Sequence, residues 1–143
     1  LVAALRGDLD RAIMVLEDGT QAHPRAAVLL SNLAVALERR GRYAEAATAA
    51  ERGSLEDPTL PQVHKNIGDL LYRAGRYDEA LEAFQRAVRY DADLGGDVYL
   101  KLGNIRYRRR ERDQAVRCWE QSLALAPDNP MARNNLEMAR RLA

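Results

Sequence analysis

Apolar residues return along this chain at helical spacing, and glycine or proline interrupts the pattern at regular intervals. The clearest stretch is PQVHKNIGDLLYRAGRYDEALEAFQRAVRYDADL, Pro61 to Leu94. Its first half places His64, Ile67, Gly68 and Leu71 at i, i+3, i+4 and i+7, one stripe of a 3.6-residue helix. Gly75 stands where that helix must stop, because glycine enters the left-handed C′ conformation without steric cost. The second half resumes the period with Tyr77, Ala80, Leu81, Phe84, Ala87 and Val88. Gly68 and Ala80 are small residues on these stripes, so the two helices can approach closely while Tyr77 and Phe84 fill the remaining space. A helix pair of this kind cannot bury both faces alone and needs neighbours like itself.

The neighbours are present. A step back of 34 residues carries Gly75 to Gly41 and Gly7, Ala80 to Ala46 and Ala12, Tyr77 to Tyr43, and Pro58 to Pro24. A step forward needs 35, with Gly95 as a one-residue insertion, and carries Gly68 to Gly103, Ala80 to Ala115 and Phe84 to Trp119. The period and these positions resemble the tetratricopeptide (TPR) repeat, with its W-x2-L-G-x2-Y, A-x3-F and P pattern, over essentially the whole chain. The resemblance implies an all-α fold, a right-handed α-solenoid of antiparallel helix pairs. We expect one domain with a partial unit at 1–26, full units at 27–60, 61–94 and 95–129, and a capping helix at 130–143. The chain begins without methionine and in mid-helix, so we expect it to be a piece of a longer protein.

Departures from the pattern carry expectations of their own. The pattern's Trp is Leu30, His64 and Tyr99 here, and its Tyr is Leu37, Leu71 and Arg106. Arg110 and Arg112 take the turn-glycine and turn-aromatic slots of the last full unit, which predicts a reshaped and less stable turn. Ala92 replaces a closing proline before Gly95-Gly96, which predicts a looser joint. Asp128-Asn129-Pro130 reads as a helix start, a capping side chain followed by proline in the first turn.

Charge and composition then narrow the function. The 22 basic and 21 acidic residues nearly cancel, which points to neither nucleic acid nor an anionic membrane. No apolar run approaches the ~20 residues that a membrane-spanning helix needs. The single cysteine, Cys118, excludes an internal disulfide and reads as a small packed hydrophobe beside Trp119. His23 and His64 have no ligand partners at metal spacing, and His64 fills an aromatic slot as a packed ring. There is no phosphate loop and no nucleophile elbow. No cofactor, no metal and no catalytic residue is implied, and the expected function is non-catalytic.

Function must come from a surface. In the TPR family the first helix of each pair lines the concave face, which implies a groove formed here by Asn32, Arg39, Lys65, Asn66, Asp69, Tyr72, Arg73, Lys101, Asn104, Tyr107, Arg108 and Asn135, with Leu100 and Val35 beside them. Two columns run across the units: Asn32, Asn66, Lys101, Asn135, and Arg39, Arg73, Arg108. A side-chain amide donates and accepts together, which suits the main chain of an extended peptide whatever its sequence. This looks like the asparagine column of peptide-binding TPR superhelices. The arginines would add charge-assisted bonds to acidic side chains or a C-terminus, and Tyr72 and Tyr107 apolar platforms. The alternative, asparagines facing solvent or bonding locally within the solenoid and arginines in i,i+4 surface pairs, stays open. The two-carboxylate clamp of chaperone-binding members is incomplete: Asn66 and Lys101 fit, while Ser31, Val35 and Asp97 do not, so chaperone C-termini are not expected ligands. The resulting expectation is a protein or peptide partner. The alternatives are self-assembly as a homo-oligomer through apolar end layers at Leu1, Val2 and Leu5, and RNA binding through Arg106 to Arg112, which Glu111 interrupts.

Overall fold

Seven helices are bounded in the computed structural model, which describes residues 27–54 and 60–142 together with Arg11 and Met14. They are α1 (Ala27–Arg39), α2 (Tyr43–Ser54), α3 (Pro61–Arg73), α4 (Tyr77–Tyr90), α5 (Gly96–Arg108), α6 (Arg112–Leu125) and α7 (Pro130–Arg141). Among the described residues there is no strand. Consecutive helices pack on one another, so the pairs α1/α2, α3/α4 and α5/α6 stack in chain order and α7 lies on the last pair. The expectations for Gly7, Ala12, His23, Pro24, Pro58 and the apolar end at Leu1, Val2 and Leu5 lie outside the described residues, as does the side chain of Asn32.

The pairs α3/α4 and α5/α6 each close through a glycine facing an aromatic ring, whereas α1/α2 has Ala34 and Ala50 at those positions. A Cβ on Gly68 would lie 2.6 Å from the Phe84 ring, and one on Gly103 would run into the indole of Trp119. Real Cβ atoms do not come that close, so glycine is required at both crossings. Phe84 and Trp119 are thereby sealed, at 0% and 1% exposure.

The apolar interior forms two clusters. One runs from Leu30 through Leu37, Ile67, Leu71, Phe84 and Val98 to Ile105. The other joins Leu100, Ala115, Trp119, Ala132, Leu136 and Ala139. Leu100 corrects the sequence reading, which set it on the groove. It is buried because α7 brings Leu136 and Ala132 against that side of α5.

The turns inside the pairs share one geometry. Gly41, Gly75 and Arg110 all take left-handed backbone, with φ of 78°, 77° and 63°. Each donates its N–H to the carbonyl three residues back, and the next residue donates to the carbonyl five back, the Schellman arrangement that satisfies a helix's last carbonyls. The turn at Arg110 is therefore not reshaped, contrary to the expectation. The hydrogen bonds hold the arginine in a conformation that costs a non-glycine residue roughly 1 kcal/mol.

The joint after α4 is the most sparsely packed of the junctions between successive pairs, as expected, and its linker is tied locally. Asp91 Oδ1 accepts from the Asp93 N–H at 3.0 Å, and the Tyr99 hydroxyl donates to the Ala92 carbonyl at 2.6 Å. An aspartate turn and a phenol hold the bend there without a proline. At α7, Asn129 Oδ1 accepts from the N–H groups of Met131 and Ala132 ahead of Pro130, the helix start read from the sequence. Arg112, in the turn-aromatic slot, donates through Nε and a terminal nitrogen to the Ala139 carbonyl, closing the other end of α7.

Candidate functional site

The first helices α1, α3, α5 and α7 carry the residues that the sequence assigned to a groove, and the structure sorts them by what they touch. Layer-to-layer ion pairs take up three of the cations. Arg73 meets Glu38 at 2.6 Å, Lys65 meets Asp97 at 3.0 Å, and Lys101 meets Asp69 at 2.5 Å. Each links one helix pair to the next across the same face. Such partly exposed pairs contribute ~0–1 kcal/mol each and set register more than stability.

A second set forms a polar hub on Asn104. Its Oδ1 accepts from Trp119 Nε1 at 3.1 Å and from Asn135 Nδ2 at 3.0 Å. Its Nδ2 donates to the Tyr72 hydroxyl at 3.3 Å. An amide oxygen has two lone pairs, and both are used. Asn104 therefore connects α3, α5, α6 and α7 and has one N–H left to offer. Tyr72 is half-buried and meets the Tyr77 ring edge-on at 5.3 Å, and Tyr107 tilts against Trp119 at 5.5 Å. Both tyrosines serve the packing as well as the surface.

The remaining groove residues are more open. Asn66 is exposed and accepts from Gln62 at 3.2 Å, within its own helix. Arg108 lies 4.3 Å over the Tyr77 ring, and Arg73 lies 5.9 Å over Tyr43. Arg73 and Arg108 thus each rest on the turn tyrosine of the pair before. Arg39 and Arg108 are exposed and have no carboxylate partner among the described residues. Val35 is open, at 47% exposure. Beyond Arg108, α7 adds Asn134, Glu137, Met138, Arg141 and Leu142 around a recess of about 350 Å³.

The arginine run at 106–112 does not present a cationic stripe. Arg106 and Arg109 both bind Glu111, at 2.7 and 2.9 Å, and hold its carboxyl below the usual range. Arg112 is turned to Ala139. His64 is 5% exposed and stacks on Tyr90, ring centroids 5.7 Å apart, as a packed ring. Among the described residues no group of His, Cys, Asp and Glu could hold a metal ion, and no helix is long and apolar enough to cross a membrane.

The stacked helix pairs have counterparts in known proteins. Residues 61–94 and 96–129 match one family model described as tetratricopeptide repeat, and residues 3–67 match a second of the same description. The chain belongs to the tetratricopeptide repeat family. No curated protein matches it. Among solved structures, a crystal structure of MamA aligns at TM-score 0.83 and 22% identity, covering 96% of this chain and 80% of MamA. The first TPR of Spaghetti (RPAP3), bound to an HSP90 peptide, aligns at 0.73 and 23%, covering 81% of this chain and 91% of that one. The second TPR domain of human RPAP3, in complex with an HSP70 peptide, aligns at 0.71 and 20%, covering 80% and 94%. At these identities the likeness is one of fold. TPR domains mediate protein–protein interaction, and the two RPAP3 domains bind chaperone peptides.

Sequence reasoning missed the hub and the ion pairs. Residues 31 to 35 apart meet in them, and only the spacing of like positions, Asp69 against Asn104 for example, hinted that successive layers would touch there.

Proposed function

We propose that this TPR chain is a non-catalytic binding module that takes an extended peptide segment of a partner protein along the face carried by its first helices. The observation that carries the reading is the set of open groups on that face: the Asn66 amide, and the exposed guanidinium groups of Arg39 and Arg108 with no carboxylate of their own. The amide suits a peptide main chain. The two arginines suit acidic side chains or a terminal carboxylate, and Arg108 is held ready by the Tyr77 ring beneath it.

Lys101, the residue that a carboxylate clamp would use, is committed to Asp69. That favours a ligand read by its main chain and by one or two acidic groups over a chaperone C-terminus. Self-association has less support at the described end. Met131, Met138 and Leu142 are exposed there, but Glu137 stands in the slot of Gly68 and Gly103 and blocks an equally close helix crossing.

The test is selection of binders from a random peptide library displayed against the chain, followed by calorimetry. Asn66→Ala combined with Arg108→Ala should weaken the selected peptide about tenfold or more and leave the melting temperature unchanged. Equal affinity in the double variant, or no selected peptide, overturns the groove.

A further inference from the structure

The joint between the pairs α3/α4 and α5/α6 departs from the repeat on the side away from the groove. In α3/α4, Leu71 and Ala83 are sealed at 2% and 0% exposure. Their counterparts one unit later are Arg106 and Cys118, both only half-buried. A recess of about 360 Å³ opens there, lined by Tyr99, Arg106, Gln114, Arg117, Cys118 and Gln121. Tyr99 and Arg106 stand two residues on from, or before, the groove residues Lys101 and Asn104, about 200° around α5 at 100° per residue. The recess is therefore separate from the peptide face.

Its chemistry is ordered. Tyr99 and Cys118 pack against the first apolar cluster and form a floor, and burial pushes both the phenol and the thiol up, so neither carries charge near neutral pH. Arg106 is oriented by Glu111 through one nitrogen and keeps other N–H donors. Arg117 makes no ion pair among the described residues. Gln114 and Gln121, two turns apart on α6, add amides on either side of it. Two guanidinium groups, two amides and an apolar floor match a carboxylate on a short carbon stem. The volume lies at the small end of ligand sites.

We propose that this recess binds a small organic carboxylate, held between Arg106 and Arg117 with its stem over Tyr99 and Cys118. The proposal is independent of the peptide groove.

Titration of the isotope-labelled chain with succinate, followed by NMR, tests it. Saturable shifts are expected at the side-chain amides of Gln114 and Gln121 and at Arg106 Nε–H, with dissociation in about the millimolar range. Arg117→Gln should weaken binding about tenfold, whereas Arg52→Gln, on α2 and in neither the recess nor the groove, should leave it unchanged. Chloride and inorganic phosphate serve as comparison anions. Shifts that fail to saturate, that chloride reproduces, or that survive Arg117→Gln overturn the site, whatever becomes of peptide binding.

Discussion

The pairs α3/α4 and α5/α6 share one backbone plan and have different interiors. Both cross at a glycine facing an aromatic ring, and both turn through a left-handed residue. In the third pair the crossing is closed by Phe84 and sealed by Leu71, without polar groups. In the fourth, Trp119 brings an N–H that must be satisfied, and Asn104 satisfies it while reaching Tyr72 and Asn135. The repeat demands a close approach and a turn. It leaves the polarity of the filling free, and this chain uses that freedom to tie its last three layers together.

The largest effect that would sharpen the comparison comes from removing the two rings. Phe84→Ala and Trp119→Ala should each cost about 3–5 kcal/mol in urea unfolding. Trp119→Ala should also free α7, because the second cluster is small and Asn104 loses a partner. Hydrogen exchange should then show α7 opening before α3 and α4. Equal protection of α7 in both variants would break the distinction.

A smaller effect lies in the turns. Arg110→Gly should stabilise by about 1 kcal/mol and Gly75→Ala should destabilise by about as much, since both positions need left-handed backbone. Thermal melts read both, and opposite signs are the result that counts.

The smallest effect is in the pairing of Glu111 with Arg106 and Arg109. Its carboxyl is held low, chiefly by the hydrogen bond from Arg106, so its contribution is present above the ordinary carboxylate value and is lost as pH falls through the lowered one. Glu111→Gln should flatten that acid limb of the melting curve against pH, with a small loss at neutrality that disappears at low pH. No counterpart exists at Arg76 in the third pair, whose partner Glu79 lies on the following helix.

Much of this fold was legible beforehand, for identifiable reasons. Helix bounds followed the 3.6-residue stripe, and the Gly68–Phe84 and Gly103–Trp119 crossings followed from small residues recurring opposite large ones. The Asn129 cap was legible because its reach is only two or three residues. The expectation at Arg110 failed because local propensity was weighed without the hydrogen bonds that hold the bend. At the candidate site, the exposed positions of Asn66, Arg39 and Arg108 agree with a stripe opposite the core, while Leu100 was misplaced because α7 covers that flank of α5.

By itself the sequence determined the period, the pairing of helices and the places where they must touch, since those depend on side-chain size repeated at fixed intervals. The tertiary structure alone decided which polar groups remain open. Whether Lys101 finds Asp69, or Asn104 finds Trp119 and Asn135, depends on how far each layer rotates on the last. A difference of one side chain's length in that rotation separates a bonded amide from a free one, and periodicity does not carry that resolution.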